Sequence, residues 1–219
     1  METTMSHTLE ISLTFRLNSP FHITGERAEL WTDKALLLDP RGKHAVIPAT
    51  TIKGWLRESI ERWLRGVQIP VCDSSRAETM CTRCLVCQLF GHPYQRSPLR
   101  FSDVVLEDEL RDVRMNVSLS RYRRASYEER LFSTELAWHP ELTCRVVGLF
   151  SELPLAEQAA ALIVLGARCG FAIGASRSRG LGWICLAQHE CKVNAQILDN
   201  NRLTNITAEL IRNKQGATS

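Results

Sequence analysis

The order of periodic segments in this 219-residue chain predicts an α+β fold of the ferredoxin-like type. Three observations carry that reading. Residues 9–17, LEISLTFRL, set Leu9, Ile11, Leu13, Phe15 and Leu17 on one face, the period of two expected of a half-buried strand. Residues 50–66, TTIKGWLRESIERWLRG, follow Pro48 and bring Ile52, Trp55, Leu56, Ile60, Trp63 and Leu64 onto one helical stripe. The later periodic segments read as two strands, a helix and a strand, so the order is strand, helix, two strands, helix, strand. Such a chain packs its helices on one face of a sheet and leaves the other face available.

Taken in order, the first strand is followed by residues 18–48, an irregular stretch with turn signals at Asn18–Pro20, Gly25 and Asp39–Gly42. Long ordered loops are usually functional. In the helix after Pro48, Thr50 or Thr51 is placed to cap, and the polar face carries Lys53, Arg57 and Arg65. Lys53 sits near the N-terminal end, where unpaired backbone N–H groups favour anions. A cysteine-rich segment then breaks the pattern from Val71 to about Gly91. LRFSDVVLEDE (99–109) and DVRMNVSLSRY (112–122) read as two strands, the second alternating through Val113, Met115, Val117 and Leu119. ELTCRVVGLF (141–150) is a further strand, and LAEQAAALIVLGARC (155–169) is a helix ending near Gly170. A glycine-rich loop then runs into a final strand, and residues 200–219 form a short terminal helix with a frayed tail. There is no internal repeat and no low-complexity tract, so a single domain over residues 1–219 is expected.

A hydrophobic content of 44% with 23% charged residues is ordinary for a folded globular protein. No apolar run approaches the ~20 residues needed to span a bilayer, and the first residues lack a secretory pattern. The expectation is a cytoplasmic protein with no membrane partner. Eight cysteines in a reducing compartment then point to metal rather than to disulfides. The net charge of +3 says little by itself, but arginines cluster at Arg57, Arg62 and Arg65, at Arg121, Arg123 and Arg124, and at Arg177 and Arg179. The planar arginine fork suits phosphate, although any one such cluster is more simply a solvated surface.

The cysteine segment contains CTRCLVCQLFG (81–91), preceded by Cys72. Cys-x2-Cys turns are short enough to set two thiolates on one ion, so Cys72, Cys81, Cys84 and Cys87 are the expected ligands of a structural Zn²⁺, with His92 a possible substitute for Cys72. An iron–sulfur cluster is disfavoured because no fourth cysteine followed by proline comes soon after the third. Thiol redox is disfavoured by the third cysteine in the motif and the lack of a thioredoxin-like context. Cys144, Cys169, Cys185 and Cys191 lie in strand or helix patterns and are expected to be small buried residues.

In IGASRSRGLG (173–182), Gly174, Gly180 and Gly182 let backbone approach a phosphate, while Ser176, Ser178, Arg177 and Arg179 add donors. A tight turn is the plainer alternative, and the two arginines favour an anionic polymer. The nucleotide P-loop pattern is absent. The loop ahead of the first helix brings Asp33 and Asp39 near this basic track. A carboxylate there can hold Mg²⁺ or another divalent cation, or assist in-line attack by a ribose 2′-OH. Asp-Pro-x-Gly at Asp39 reads as a turn, whereas the residues alone leave Asp33 open between surface and function.

Four segments together carry a resemblance. IPATTIKGWLRESIE resembles I-P-G-S-S-[LI]-K-G-x-[LI]-R, CTRCLVCQLFG resembles a C-x2-C-x-L-F-G segment, RMNVSLSRYRRASYEERLFSTE resembles R-x-x-V-x-[IL]-x-R…L-[FY]-x-x-E, and GASRSRGLG matches G-x-x-R-[ST]-R-G-x-G. In this order, over roughly residues 10–190, they resemble the repeat-associated (RAMP) superfamily, and within it the Cas backbone subunits of type III CRISPR effector complexes. The resemblance implies a modified RNA-recognition fold with an inserted zinc segment at about 66–98, a β-hairpin thumb at about 115–137 and a C-terminal tail over 203–219. It implies binding of guide RNA (crRNA) and target RNA, and assembly with copies of itself and other Cas subunits. It puts Asp33 at the catalytic position, with a divalent metal, and Thr51, Lys53, Arg57, Arg121, Gly174, Ser176, Arg177, Arg179 and Gly180 at RNA-contacting positions. Two departures stand out: Ala49, Thr50 and Thr51 replace glycine and serines, and the stretch before Asp33 lacks a glycine-rich run. The expected activity is metal-dependent endoribonuclease cleavage of paired target RNA at Asp33. The alternatives are a non-catalytic architectural subunit and a stand-alone CRISPR RNA-processing nuclease.

Overall fold

In a computed structural model of the chain, residues 6–27 and 29–215 are described, apart from the side chains of residues 127–130, 214 and 215. The last residues of the expected frayed tail, 216–219, lie outside them. Strand β1 (His7–Leu17) buries Leu9, Ile11, Leu13, Phe15 and Leu17, the face its alternation predicts. It lies between β7 (Glu141–Phe150) and β8 (Ile184–Val193), antiparallel to both. The sheet is completed by β3 (Leu99–Phe101) beside β7 and β9 (Gln196–Ile197) beside β8, giving the order β3-β7-β1-β8-β9. This is the ferredoxin-like order, with β9 as an added edge.

Helix α1 (Ala49–Gly66) buries Ile52, Leu56, Ile60 and Leu64, and each such side chain contributes about 1.5–3 kcal/mol through its apolar area. Helix α3 (Leu153–Cys169) packs against α1 and the sheet through a run of buried alanines and aliphatic residues. Helix α4 (Asn200–Gln215) covers α3 with Leu203, Ile206 and Leu210. All three lie over one core, while the opposite sheet face presents Glu10, Arg145 and Val147 to solvent.

Two expectations change. Thr50 and Thr51 do not cap α1: the N-cap is Pro48, without a side-chain bond, and the first free N–H, that of Ala49, donates to Asp103 Oδ1 at 2.7 Å. For the same reason, 99–109 is not one strand. The chain leaves the main sheet after β3 to deliver Asp103, then pairs β4 (Val104–Val105) with β2 (Val46–Ile47).

The remaining strands, β5 (Leu110–Ser120) and β6 (Ala125–Trp138), form a separate two-stranded ribbon whose far end is the turn at 121–124. Its base is laced to the 18–47 loop. Phe21 and Ala137 exchange both backbone bonds, at 2.8 and 3.0 Å, and the Lys34 and Glu135 amides bond Ser133 and Lys34 carbonyls at 3.2 and 2.9 Å. Buried Glu135 closes this seam by accepting from the Leu36 amide at 2.9 Å and from Arg27 at 3.2 Å. No helix among the described residues is long and apolar enough to cross a membrane.

Candidate nucleic-acid interface and metal centre

The loop at residues 173–182 needs backbone that only glycine adopts without strain. Gly174 has φ +85, and a Cβ there would come within 2.6 Å of the His22 carbonyl oxygen. Gly182 has φ +69, and a Cβ would overlap the Ile173 carbonyl. These close approaches let the loop dock on residues 20–22, with the Ala175 amide donating to the His22 carbonyl and the Gly182 amide to that of Pro20, both at 2.8 Å. Between them, Ser176 and Gly180 are left-handed and flank a short 3₁₀ turn at Arg177–Arg179. Arg179 donates to Ser176 Oγ at 2.8 Å, and Arg177 to Glu58 Oε2 of α1 at 3.0 Å.

The loop is therefore a ridge between two hollows. One, of about 80 Å³, is lined by Lys34, Arg114, Asn116, Phe132, Ser176 and Arg179, with His22 and Thr24 at its floor. The other, of about 440 Å³, is lined by Thr50, Thr51, Gly54, Glu58, Gly174 and Arg177. Thr24 and Ala175 line both, so the hollows are continuous. The first turns of α1 and the Gly/Arg loop thus border one continuous trough, basic at the ribbon base, where Lys34, Arg114 and Arg179 line it, and neutral beside α1, where Arg177 is paired with Glu58.

Not every expected residue is brought there. Lys53 and Arg57 face the other flank of α1, where with His92, Gln95 and Arg96 they line a third hollow of about 540 Å³. Arg57 is already engaged, donating to Glu61 at 3.0 Å and to the Gly91 carbonyl at 3.3 Å, while its Nη2 is buried without a hydrogen-bond partner. Burial and the Arg57 charge lower the pKa of Lys53. Arg121 is at the ribbon turn, seven residues and roughly 24 Å beyond Arg114 at a strand rise of about 3.4 Å per residue.

Asp33 is exposed and precedes Lys34 in the chain, but neither it nor its anchor Ser133 lines the two hollows. Its Oδ2 accepts from the Ser133 amide at 2.7 Å and the Ser133 hydroxyl at 3.0 Å, and that hydroxyl accepts from the Asp33 amide at 2.9 Å. Bonds from the Ser133 amide and hydroxyl hold its carboxyl below the usual aspartate range. Both bonds from Ser133 go to Oδ2, and the residue is exposed. Mg²⁺ is commonly held by one or two carboxylates together with substrate phosphates, so this single ionised group fits the donor set a divalent ion requires. Asp39 is used differently: its Oδ1 accepts from the Lys43 and His44 amides at 2.6 and 3.1 Å, closing the expected turn.

Sequence reading missed His22, Lys34, Arg114 and Ser133. His22 is buried, with Nδ1 2.7 Å from the Glu135 carbonyl and Nε2 3.0 Å from Thr24 Oγ1. Nδ1 must carry a proton to bond the carbonyl, and because the pKa is lowered from 6.5 the ring is neutral at pH 7, so Nε2 accepts from threonine. Burial is the largest cause of its lowered pKa. In the unfolded chain the ring takes up a proton near 6.5, before the folded chain does, so stability falls as pH drops from about 6.5 toward the lower folded value. A thermal-melt series between pH 7.5 and 5 should show that decline, with a flatter slope for His22→Gln.

Of the four clustered cysteines, Cys87 lies in the short helix α2 (Leu85–Phe90), Cys84 is its N-cap, and Cys72 and Cys81 come from the loop after α1. Sulfurs of Cys72, Cys81, Cys84 and Cys87 all lie within 4.8 Å of one another, with Cys72 3.7 Å from Cys84 and 3.4 Å from Cys87. A tetrahedron on zinc–sulfur bonds of about 2.3 Å has edges of about 3.8 Å, so the cluster has the dimensions of a metal site. Burial pushes the Cys87 and Cys72 thiols up. It also works against ionisation of Cys81, but the Arg83 and Cys84 amides and the neighbouring thiols outweigh it and bring that thiol to about 6. Four adjacent thiolates require a cation among them. His92 lies outside the cluster, 3.3 Å from Gln95 Oε1. The segment is tied to α1 by Ser74, which donates to Glu61 Oε2 at 2.8 Å, and by Arg65, which donates to the Cys72 carbonyl at 3.0 Å. Cys144 and Cys191 are buried as expected, but Cys169 and Cys185 are exposed, one on the last turn of α3 and the other facing out from the sheet.

A family model described as the RAMP superfamily matches residues 14–185. No match was found among curated proteins. Among solved structures, a chain of the type III-B Cmr-beta complex bound to cognate target RNA aligns with a TM-score of 0.55 at 16% identity, covering 84% of this chain. The present chain spans 60% of that chain's length, and at this identity the likeness concerns the fold. The matched region runs from β1 through the Gly/Arg loop, taking in the sheet, the cysteine cluster and the ribbon, and on that match the chain belongs to the RAMP superfamily.

Proposed function

We propose that this chain is a backbone subunit of a type III CRISPR effector complex, binding guide RNA without regard to sequence and cutting paired target RNA beside Asp33. The observation that carries this reading is the continuous trough between α1 and the Gly/Arg loop, lined at the ribbon base by Lys34, Arg114 and Arg179, with the ionised Asp33 carboxylate held by Ser133 on the same base. Thr51, Gly174, Ser176, Arg177, Arg179 and Gly180 take backbone phosphates there; Lys53 and Arg57 serve the far flank of α1. The β5–β6 ribbon is read as the thumb, with Arg121 at its tip, and the metal-bound cysteines as a structural insertion. Guide RNA, target RNA, further copies of the chain and other Cas subunits are the partners this arrangement suits, and the similar chain belongs to a Cmr-beta complex bound to cognate target RNA.

For the chemistry, a 2′-hydroxyl attacks the adjacent phosphorus, its proton is released, and the 5′-oxygen leaves, giving a 2′,3′-cyclic phosphate and a 5′-hydroxyl. Asp33 offers Oδ1 either to the attacking hydroxyl's proton or to a divalent ion, while Lys34, Arg114 and Arg179 neutralise flanking phosphates. A bound divalent ion supplies charge stabilisation to the phosphorane-like transition state. A second reading, a non-catalytic architectural subunit, draws on the lone carboxylate: the described residues include no cluster of three or more metal-binding side chains beside Asp33. Incubating the assembled complex with complementary RNA and Mg²⁺ separates the two. Cutting of repeat RNA by the isolated chain would instead indicate a processing nuclease.

Electrostatics supply a further expected result. If the trough holds phosphates, log affinity for guide RNA falls linearly with log salt, with a slope of about −0.7 per phosphate on a single strand. Arg179→Ala should reduce that slope by about one phosphate, uniformly across sequences. Filter binding between 50 and 500 mM salt measures both, and a flat response would leave the arginines as solvated surface.

A further inference from the structure

We propose that Glu58 is the residue by which this chain tells RNA from DNA: in the hollow beside α1 its carboxylate accepts a hydrogen bond from a ribose 2′-hydroxyl of the guide, while Arg177 takes the neighbouring phosphate. The inference rests on the reading of the trough as the guide-RNA path and adds what selects the sugar there.

The two continuous hollows differ in charge. Lys34, Arg114 and Arg179 make the small one basic, whereas the large one, of about 440 Å³, pairs the cation Arg177 with the acid Glu58. Among the described residues lining either hollow, Glu58 is the one carboxylate. A carboxylate in a phosphate path repels the ligand unless the ligand brings it a hydrogen-bond donor. The sugar–phosphate backbone consists of acceptors except at the 2′-hydroxyl, which only RNA carries.

The fold itself has little need of Glu58. Its carboxylate accepts from Arg62 at 2.6 Å and from Arg177 at 3.0 Å, yet its side chain is 46% exposed and that of Arg177 40%. Ion pairs this exposed add little to stability. The two bonds go to different oxygens, Oε1 and Oε2, and a carboxylate has about four lone-pair sites, so capacity is left for a hydroxyl.

Thr50, Gly54 and Glu58 recur every four residues, so they share one stripe along α1, and all three line the hollow with Thr51. Packing does not explain Gly54. Glycine is a poor helix former, and a Cβ at this position would meet nothing within 4 Å. A sugar laid along the stripe, between the threonine hydroxyls and the Glu58 carboxylate, supplies the reason that the protein does not. A base amine is the other donor an RNA strand brings, but reading it would make binding depend on sequence. The 2′-hydroxyl recurs at every nucleotide, which suits a guide held without regard to sequence.

The test uses the full chain and single-stranded oligonucleotides of two unrelated sequences, each made with 2′-hydroxyl, 2′-fluoro or 2′-deoxy sugars, in filter binding at fixed salt. Fluorine cannot donate but keeps the ribose-like pucker, so it isolates the lost donor. Wild type should bind RNA at least about tenfold more tightly than either analogue, the scale of one hydrogen bond to a charged group. Glu58→Ala should bring the three sugars to equal affinity, and Glu58→Gln, whose amide oxygen still accepts, should keep a smaller preference. Gly54→Ala should raise the melting temperature through helix propensity yet weaken RNA binding, an opposition that a purely structural stripe would not produce. Equal binding of RNA and the 2′-fluoro strand by wild type overturns the inference and leaves the trough reading intact. So does a preference that persists in Glu58→Ala or that changes with base sequence. RNA binding by Gly54→Ala at wild-type strength removes the sugar from the stripe. A wild type that binds none of the strands overturns the guide-path reading, and the inference with it.

Discussion

Asp33→Asn is expected to lower target-RNA cleavage by at least about 10²-fold while guide binding stays within about twofold, because proton transfer or charge stabilisation by one placed group is worth that much. Asparagine keeps an oxygen to accept from the Ser133 amide and hydroxyl, so the seam between the 18–47 loop and β6 survives and the loss is one of charge. Asp33→Ala should abolish cutting to the same degree. Ser133→Ala separates position from chemistry. It removes one of the two strongest donors to the carboxylate, leaving the amide, so Asp33 titrates at higher pH and is more readily protonated in acid. The acid limb of the rate profile should therefore move upward, with a smaller loss of rate at neutral pH. Unchanged cleavage in Asp33→Asn would remove this residue from the site, and unchanged cleavage with an unshifted limb in Ser133→Ala would remove its anchor.

The second large effect concerns the metal segment. Cys84→Ser, or exhaustive chelation, is expected to release one zinc per chain and to expose residues 71–97 to hydrogen exchange. Structural zinc binding is worth about 10–16 kcal/mol in small peptides at pH 7, most of which appears as folding free energy. An ion at this cluster would hold one inserted segment; Leu85, Val86, Leu89 and Phe90 of that segment join the core, but most of it comes from β1, β7, β8, α1 and α3, so unfolding should stay local. The flank of α1 that carries Lys53 and Arg57 loses its facing wall of His92, Gln95 and Arg96, and the salt slope of RNA binding should shrink with it. Metal analysis, exchange mass spectrometry and binding on the same sample decide the matter. Loss of cutting with residues 71–97 still protected would contradict a structural role.

Much of the fold can be read directly because burial there is one-sided. β1 and β7 each bury every second residue, so period two survives in the letters, and α1 shows its stripe because only one face meets the sheet. The thiol cluster is legible because its spacing is the chemistry. β6 is not legible: Ser133, Thr134, Glu135, Leu136 and Ala137 are buried in succession, polar and apolar alike, so no alternation survives in the letters. Its partner β5 alternates through Val113, Met115, Val117 and Leu119, yet those side chains are exposed, so the pattern gives the strand without its burial. The Asp33–Ser133 anchor joins residues one hundred positions apart, and the Asp103 bond at the start of α1 joins two that are 54 apart. Neither leaves a local signal. Lys53 and Arg57 also looked continuous with Thr51 along the sequence, but the 3.6-residue turn directs them to the opposite flank of the helix.

The central claim is that the guide strand runs between α1 and the Gly/Arg loop and brings its paired target to Asp33. Photocrosslinking of the assembled particle through 4-thiouridine distributed along the guide, with peptides identified by mass spectrometry, tests it most directly. Crosslinks concentrated in residues 20–34, 50–58 and 173–182 are the predicted result. Crosslinks confined to the open sheet face around Glu10, Arg145 and Val147, with none in those three segments, would contradict it.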